Sequence, residues 1–137
     1  MLEIGLKGTK EVLVDTHNDA IHVGSGDVPV FATPAMISLM EDTAASSVRP
    51  FLQEGDATVG ISIQVTHSSA TPHGMTVHCE SILTEIDRKR LVFTVRAFDD
   101  AGLIGEGTHE RFIINKEKFM EKASAKSEHP SAKKLTE

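Results

Sequence analysis

The chain has 137 residues, 39% of them hydrophobic and 25% charged, with a net charge of −6 and a mean hydropathy of −0.13. That length suggests one domain with a core that needs no disulfide or metal staple, and the acidic balance argues against general nucleic-acid binding. A single cysteine excludes an intramolecular disulfide, no apolar run is long enough to span a membrane, and the segment MLEIGLKGTKEV lacks a basic n-region, so a cytoplasmic protein without a secretory signal is expected.

Residues 1–22 hold two short apolar alternations, Leu2, Ile4 and Leu6, then Val12 and Val14, read as one or two strands joined around Gly8. The stretch His22 to Pro29, HVGSGDVP, has turn chemistry and leads straight into a helix, so it is expected to be a loop over whatever that helix carries. Phe31 to Pro50, FATPAMISLMEDTAASSVRP, is the organising helix. Thr33 is placed as its N-cap with Pro34 in the first turn, and Pro50 disfavours continuation past Arg49. Ala35, Met36, Ile37, Leu39 and Met40 surround its first turns, which marks a buried helix. Glu41 shares a stripe with Ile37, Ala44 and Val48, so a carboxylate falls on a face expected to be dry. Such a group is either structural, reaching solvent at the helix edge or paired with a core base, or a catalytic carboxylate whose pKa is set by burial.

Beyond the helix, Val59, Ile61, Ile63 and Val65 alternate with polar residues and end at His67, the pattern of a half-buried strand. Further strands are expected at about 75–86, 91–97 and 103–115, joined by short turns, so the four read as an antiparallel meander whose buried face covers the helix. Cys79 reads as a small buried hydrophobe. From Lys116 on, six lysines face four glutamates, and the first turns, anchored by Phe119 and Met120, are expected to be helical. The domain is therefore drawn at 1–120, with 121–137 as a flexible tail.

Of the seven histidines, His67 stands out because it ends an apolar strand. His73, His78 and His129 read as surface, His17 and His22 adjoin loops, and His109 lies within THER on the last strand. Metal-ligand spacing, a GxSxG elbow and a phosphate-cradling glycine loop are all absent from the sequence.

One long helix followed by an antiparallel sheet resembles the hotdog fold, an α+β architecture. More specifically, FAT (31–33), LME (39–41), VTHSSATPHGMTV (65–77) and GEGTHERFII (105–114) are similar to the fluoroacetyl-CoA thioesterase family over about residues 28–120. The resemblance implies an acyl-CoA thioesterase with a Thr33, Glu41 and His67 constellation, substrate contacts from Gly60, Arg111 and Val30, and no metal or cofactor, CoA being part of the substrate. It also implies a homodimer, with a tetramer as a further assembly. Glu41 would be general base or nucleophile, His67 the proton donor to the leaving thiolate, and the helix start an oxyanion stabiliser. In the fluoroacetyl-specific member, phenylalanines ahead of the helix form a lid. Here HVGSGDVPV (22–30) has no aromatic residue, so the acyl group is left open. A non-catalytic hotdog protein that binds an acyl thioester or another small ligand is the alternative; the His/Asp pattern of a dehydratase of this fold is not found.

Overall fold

The computed structural model describes residues 1–128. One sheet and one long helix make up the domain. In chain order the elements are β1 (Lys7–Leu13), α1 (Ala20–Val23), α2 (Thr33–Val48), β2 (Asp56–His67), β3 (Thr76–Asp87), β4 (Arg90–Asp99), β5 (Gly102–Asn115) and α3 (Lys116–Ser124). Short 3₁₀ turns follow α2 at Arg49–Phe51 and α3 at Ala125–Glu128.

All strand pairs are antiparallel, in the order β1-β3-β4-β5-β2. The expected meander therefore holds for β3, β4 and β5 but not for β2, which leaves β3 and pairs with β5 at the far edge. Three strand spacings, about 14 Å, separate β2 from β3. Residues 68–75 are long enough to cross that gap over the ends of β4 and β5, at up to about 3.3 Å per residue. Of the two apolar alternations near the start only the second runs into a strand: Leu2, Ile4 and Leu6 precede β1, and Gly8 lies inside it rather than in a turn. A Cβ at Gly8 would meet Ser47 Cβ at 2.7 Å and the Thr43 carbonyl at 2.8 Å, so glycine here lets β1 lie close against α2.

The concave face of the sheet packs on α2. Met36, Met40, Ala44 and Val48 of the helix meet Val77, Leu83, Leu91, Phe93, Val95 and Ile104 of the strands, all at most 0% exposed. Cys79 is buried among them, as its strand pattern predicts. The helix begins with Ala32 as N-cap; Thr33 is already inside it and its side chain makes no capping bond, which corrects the sequence-based placement. Its hydroxyl is used elsewhere.

A β-bulge between Gly60 and Ser62 changes which side of β2 each residue faces. Gly60 pairs with Arg111, whereas Ile63 pairs with His109, so Gly60, Ile63, Val65 and His67 all face the helix although seven residues separate the first from the last. Val59, opposite Phe112, turns to the other face, and Ile61 at the bulge is 52% exposed. The single alternation read across Val59 to Val65 is thus broken by the inserted residue.

The domain boundary drawn at residue 120 falls inside α3, which Asn115 caps through its side chain. Phe119 and Met120 are exposed on that helix. The remainder of the tail, including His129, lies outside the described residues. Among the described residues no helix is long and apolar enough to cross a membrane.

Candidate active site

Two clusters of candidate functional side chains sit at different places along β2, one around Gly60 and one at its end, both on its helix-facing side. The first joins the start of α2 to the end of β2. Thr33 Oγ1 and His67 Nδ1 lie 2.8 Å apart. Thr33 is exposed, whereas His67 Nε2 is buried without a hydrogen-bond partner among the described residues. Burial pushes the His67 imidazole below its ordinary range, with the Ser69 backbone opposing. The direction of this hydrogen bond follows the ring tautomer, and the exposed Thr33 hydroxyl is the part of the pair that faces outward. The backbone N–H groups of Thr33 and Ala35 have no backbone acceptor among the described residues. They point out of the helix N-terminus, where the dipole is positive.

A cavity of about 260 Å³ opens at this pair, walled by Ala20, Val30, Phe31 and the 68–70 turn. The Phe31 ring stands edge-on to His67 at 6.5 Å. A larger groove of about 680 Å³ lies on the other side of Phe31, between β1 and α2. Of its charged residues, Lys10 and Asp42 are paired with each other at 2.8 Å and Glu11 with His78 at 2.9 Å.

The wall is fastened from behind by Asp19, a residue the sequence reading gave no role. Its carboxylate is fully buried and accepts the His22 backbone N–H at 2.8 Å. His22 Nδ1 lies 2.8 Å from Oδ1 and His73 Nε2 2.7 Å from Oδ2. These contacts, led by the His22 backbone N–H, hold the Asp19 carboxyl down to about 2. Main-chain bonds from Ala20 to Val30, Phe31 to Thr71 and Ala32 to Asn18 complete the seam. Asp19 before a short helix reads as a cap from sequence, but nothing local pairs it with His73.

The second cluster surrounds Glu41. Its carboxylate lies over Gly60, where a Cβ would be 2.9 Å from Oε2. The Arg111 guanidinium stands beside it, Nη1 to Oε2 3.9 Å. Arg111 is buried and held by Thr58, Nε donating to Oγ1 at 2.8 Å and Nη2 to the backbone carbonyl at 2.9 Å. Burial lowers the Arg111 pKa and Glu41 raises it; the group stays a cation. The face of Glu41 is drier than solvent but not closed: its side chain is 44% exposed.

The sequence-derived residues therefore fall into two sets. Thr33, His67 and Val30 meet at one place, Glu41, Gly60 and Arg111 at another. Glu41 follows Thr33 by eight residues, about 12 Å along the helix, and Gly60 precedes His67 by seven, about 20 Å along the strand. The carboxylate lies out of hydrogen-bond reach of the Thr33–His67 pair within one chain. Among the described residues no cluster of three or more His, Cys, Asp or Glu side chains is placed to hold a metal ion.

A five-stranded antiparallel sheet wrapped on one long helix, with polar side chains at the helix start and on the edge strand, defines a hotdog-fold thioesterase-like domain. The structure of a Thermus thermophilus protein of the thioesterase superfamily superposes with a TM-score of 0.86 at 25% identity, over 93% of this chain and 95% of that one. The solved structure of a fluoroacetyl-CoA thioesterase gives 0.86 at 34% identity, over 95% and 99%. The fluoroacetyl-CoA thioesterase of Streptantibioticus cattleyicolor is 36% identical over 132 residues, 92% of this chain and 95% of that protein. The family model of the fluoroacetyl-CoA-specific thioesterases matches residues 14–117, and the chain belongs to that family.

Proposed function

We propose that the protein is an acyl-CoA thioesterase that hydrolyses a small acyl-CoA thioester to the free acid and CoA, with Thr33, Glu41 and His67 as its reacting groups. The observation that carries this reading is the Thr33–His67 pair, 2.8 Å apart at the free N-terminus of α2. A thioester carbonyl placed there has the Thr33 and Ala35 N–H groups as donors for the developing oxyanion. The Thr33 hydroxyl, hydrogen-bonded to His67 Nδ1, orients the attacking group, and the CoA thiolate leaves as an anion and takes up the proton released by the attacking water. His67 then acts through Thr33 and not directly, since its Nε2 is buried. Glu41 takes the proton of the attacking water, or attacks the carbonyl itself to form a mixed anhydride that water opens. Arg111 places positive charge beside that carboxylate. Every group these steps need belongs to the chain, and CoA is part of the substrate. A single cysteine, reduced and buried, fits a cytoplasmic setting.

The working unit in this reading is a homodimer. β2 is a twelve-residue edge strand, and a long exposed edge invites pairing with a second copy. A two-fold axis midway between Gly60 and His67 lays each copy's Gly60 beside its partner's His67 in an antiparallel ladder. Because the bulge puts both residues on the helix side, one copy's Glu41 then reaches the other's Thr33–His67 pair. Further pairing of dimers would give a tetramer.

The test is to mix two inactive chains, Glu41→Gln and Thr33→Ala. Sites shared between copies predict that subunit exchange restores about a quarter of parental activity, because half the dimers are mixed and each has one intact site. Sites contained within one chain restore nothing. If both single variants turn over acyl-CoA like the parent, the catalytic assignment is wrong and a ligand-binding role replaces it.

A further inference from the structure

His109 is buried at 1% exposure, and no step above uses it. It sits on β5 two residues before Arg111 and faces the same side. Its Nδ1 lies 2.8 Å from the Ser62 carbonyl, on the residue that closes the β2 bulge. A carbonyl only accepts, so Nδ1 carries the proton. Nε2 is then a lone pair, and Arg111 Nη1 stands 3.2 Å from it as donor. The ring thus ties two things together: the bulge that turns Gly60 toward the helix, and the guanidinium beside Glu41.

We infer that His109 is a positioning residue for the Glu41 carboxylate, clamping the β2 bulge through Nδ1–H and the Arg111 guanidinium through Nε2. The inference rests on the catalytic reading of Glu41 only for its effect on turnover; the clamp itself is a statement about the fold.

The chemistry supports a neutral ring. Were Nε2 protonated, two donors would face each other at 3.2 Å in a buried site. Burial lowers the His109 pKa first and the Arg111 cation adds to this, while the Ser62 carbonyl, Glu41 on α2 and Glu110 on β5 oppose it. Phe93 of β4 covers the ring at 6.3 Å between centroids, tilted by 30°. With Thr58 taking Nε and Nη2 and His109 taking Nη1, three guanidinium hydrogens are fixed by neutral acceptors. A cation so held keeps one orientation toward the carboxylate over Gly60.

The experiment has an arm that needs no activity. Ring-nitrogen NMR of the parent protein is expected to show His109 as the Nδ1–H tautomer, unchanged from pH 8 to about 5.5, below the ordinary histidine midpoint. An Nε2–H tautomer, or titration near pH 6.5, overturns the clamp whatever the enzyme does. The second arm is kinetic. His109→Asn keeps a donor for the Ser62 carbonyl but removes the acceptor for Arg111. It is expected to keep the parental melting temperature within a few degrees and lose about ten- to hundredfold in kcat, the size of a small misplacement of a reacting group, with KM little changed. In an Arg111→Gln background the same substitution is expected to add less than about threefold, because both changes remove one interaction. Full, independent losses in the double variant would show that His109 does not act through Arg111. If the NMR result holds and the parent hydrolyses no acyl-CoA, the clamp stands and the proposed function fails.

Discussion

Gly60→Ala separates the chemistry at Glu41 from the stability of the sheet. A Cβ at Gly60 falls 2.9 Å from Glu41 Oε2, 3.3 Å from His109 Cε1 and 3.4 Å from Arg111 Nη1. Favourable contacts begin near about 3.5 Å, so the carboxylate must retreat by about half an ångström while the ring and guanidinium yield by one or two tenths. The Glu41 side chain is 44% exposed and flexible, so the retreat costs the fold little. Replacing glycine at a compatible backbone angle also stabilises by about 0.4–1 kcal/mol through the unfolded chain. The melting temperature should therefore stay within a few degrees of the parent. Turnover should fall about ten- to hundredfold, because a carboxylate displaced by that distance no longer meets the carbonyl or water in line. Release of the CoA thiol at saturating acyl-CoA, read with a chromogenic disulfide, gives kcat, and calorimetry gives the melting temperature. Parental kcat in Gly60→Ala would refute the placement of Glu41; an unfolded variant would refute the claim that the carboxylate gives way.

Gly107→Ala should behave oppositely, because its Cβ would be driven into the Gln64 backbone carbonyl of the paired strand. Circular dichroism is expected to show several kcal/mol of lost stability or no folded protein. For Asp19→Asn, the depressed carboxyl, about 2 against an ordinary 3.8, contributes stability that is present above about pH 4 and lost as pH falls toward 2. The variant should melt lower than the parent at pH 7, and the two curves should converge near pH 2. No aromatic residue lies in segment 22–30, so kcat/KM for fluoroacetyl-CoA over acetyl-CoA should be within about tenfold. A far larger ratio would show that selectivity arises without an aromatic lid. Sedimentation velocity at micromolar concentration should show a dimer; a monomer there would count against the shared site.

Much of the fold was readable because it follows local periodicity. The helix from Thr33 and the strands ending at His67 and beginning near Thr76, Arg90 and Gly102 fall within a residue or two of their sequence-based bounds. What escaped was non-local. The place of β2 beside β5 depends on how far residues 68–75 reach, which periodicity does not encode. The bulge at Ile61 hid inside an apparently perfect alternation, since Val59 and Ile61 are apolar on either face. Thr33, Glu41 and His67 stand out as candidates by type and by resemblance, yet nothing in the sequence marks that they divide between two places along β2. Residue type suits Thr33 to capping as well as to the site, and its hydroxyl goes to a ring thirty-four positions away. His109 and Arg111 did carry a signal. Two spaced basic residues on an inward-facing strand need partners, and the i, i+2 relation put them on one side.

The extra residue in β2 makes the strand unequal in its tolerance of length change. Removing Ile61 would relax the ladder to regular pairing, Gly60 with Arg111 and Ser62 with Glu110 as neighbours, and leave Gly60 and His67 six apart on the same face. Removing any one residue between Ser62 and His67 would instead reverse the outlook of everything on one side of the cut. Relatives that differ in length along this strand should therefore carry their gap at Ile61, and a gap elsewhere would mark a chain in which Gly60 and His67 no longer face the same side.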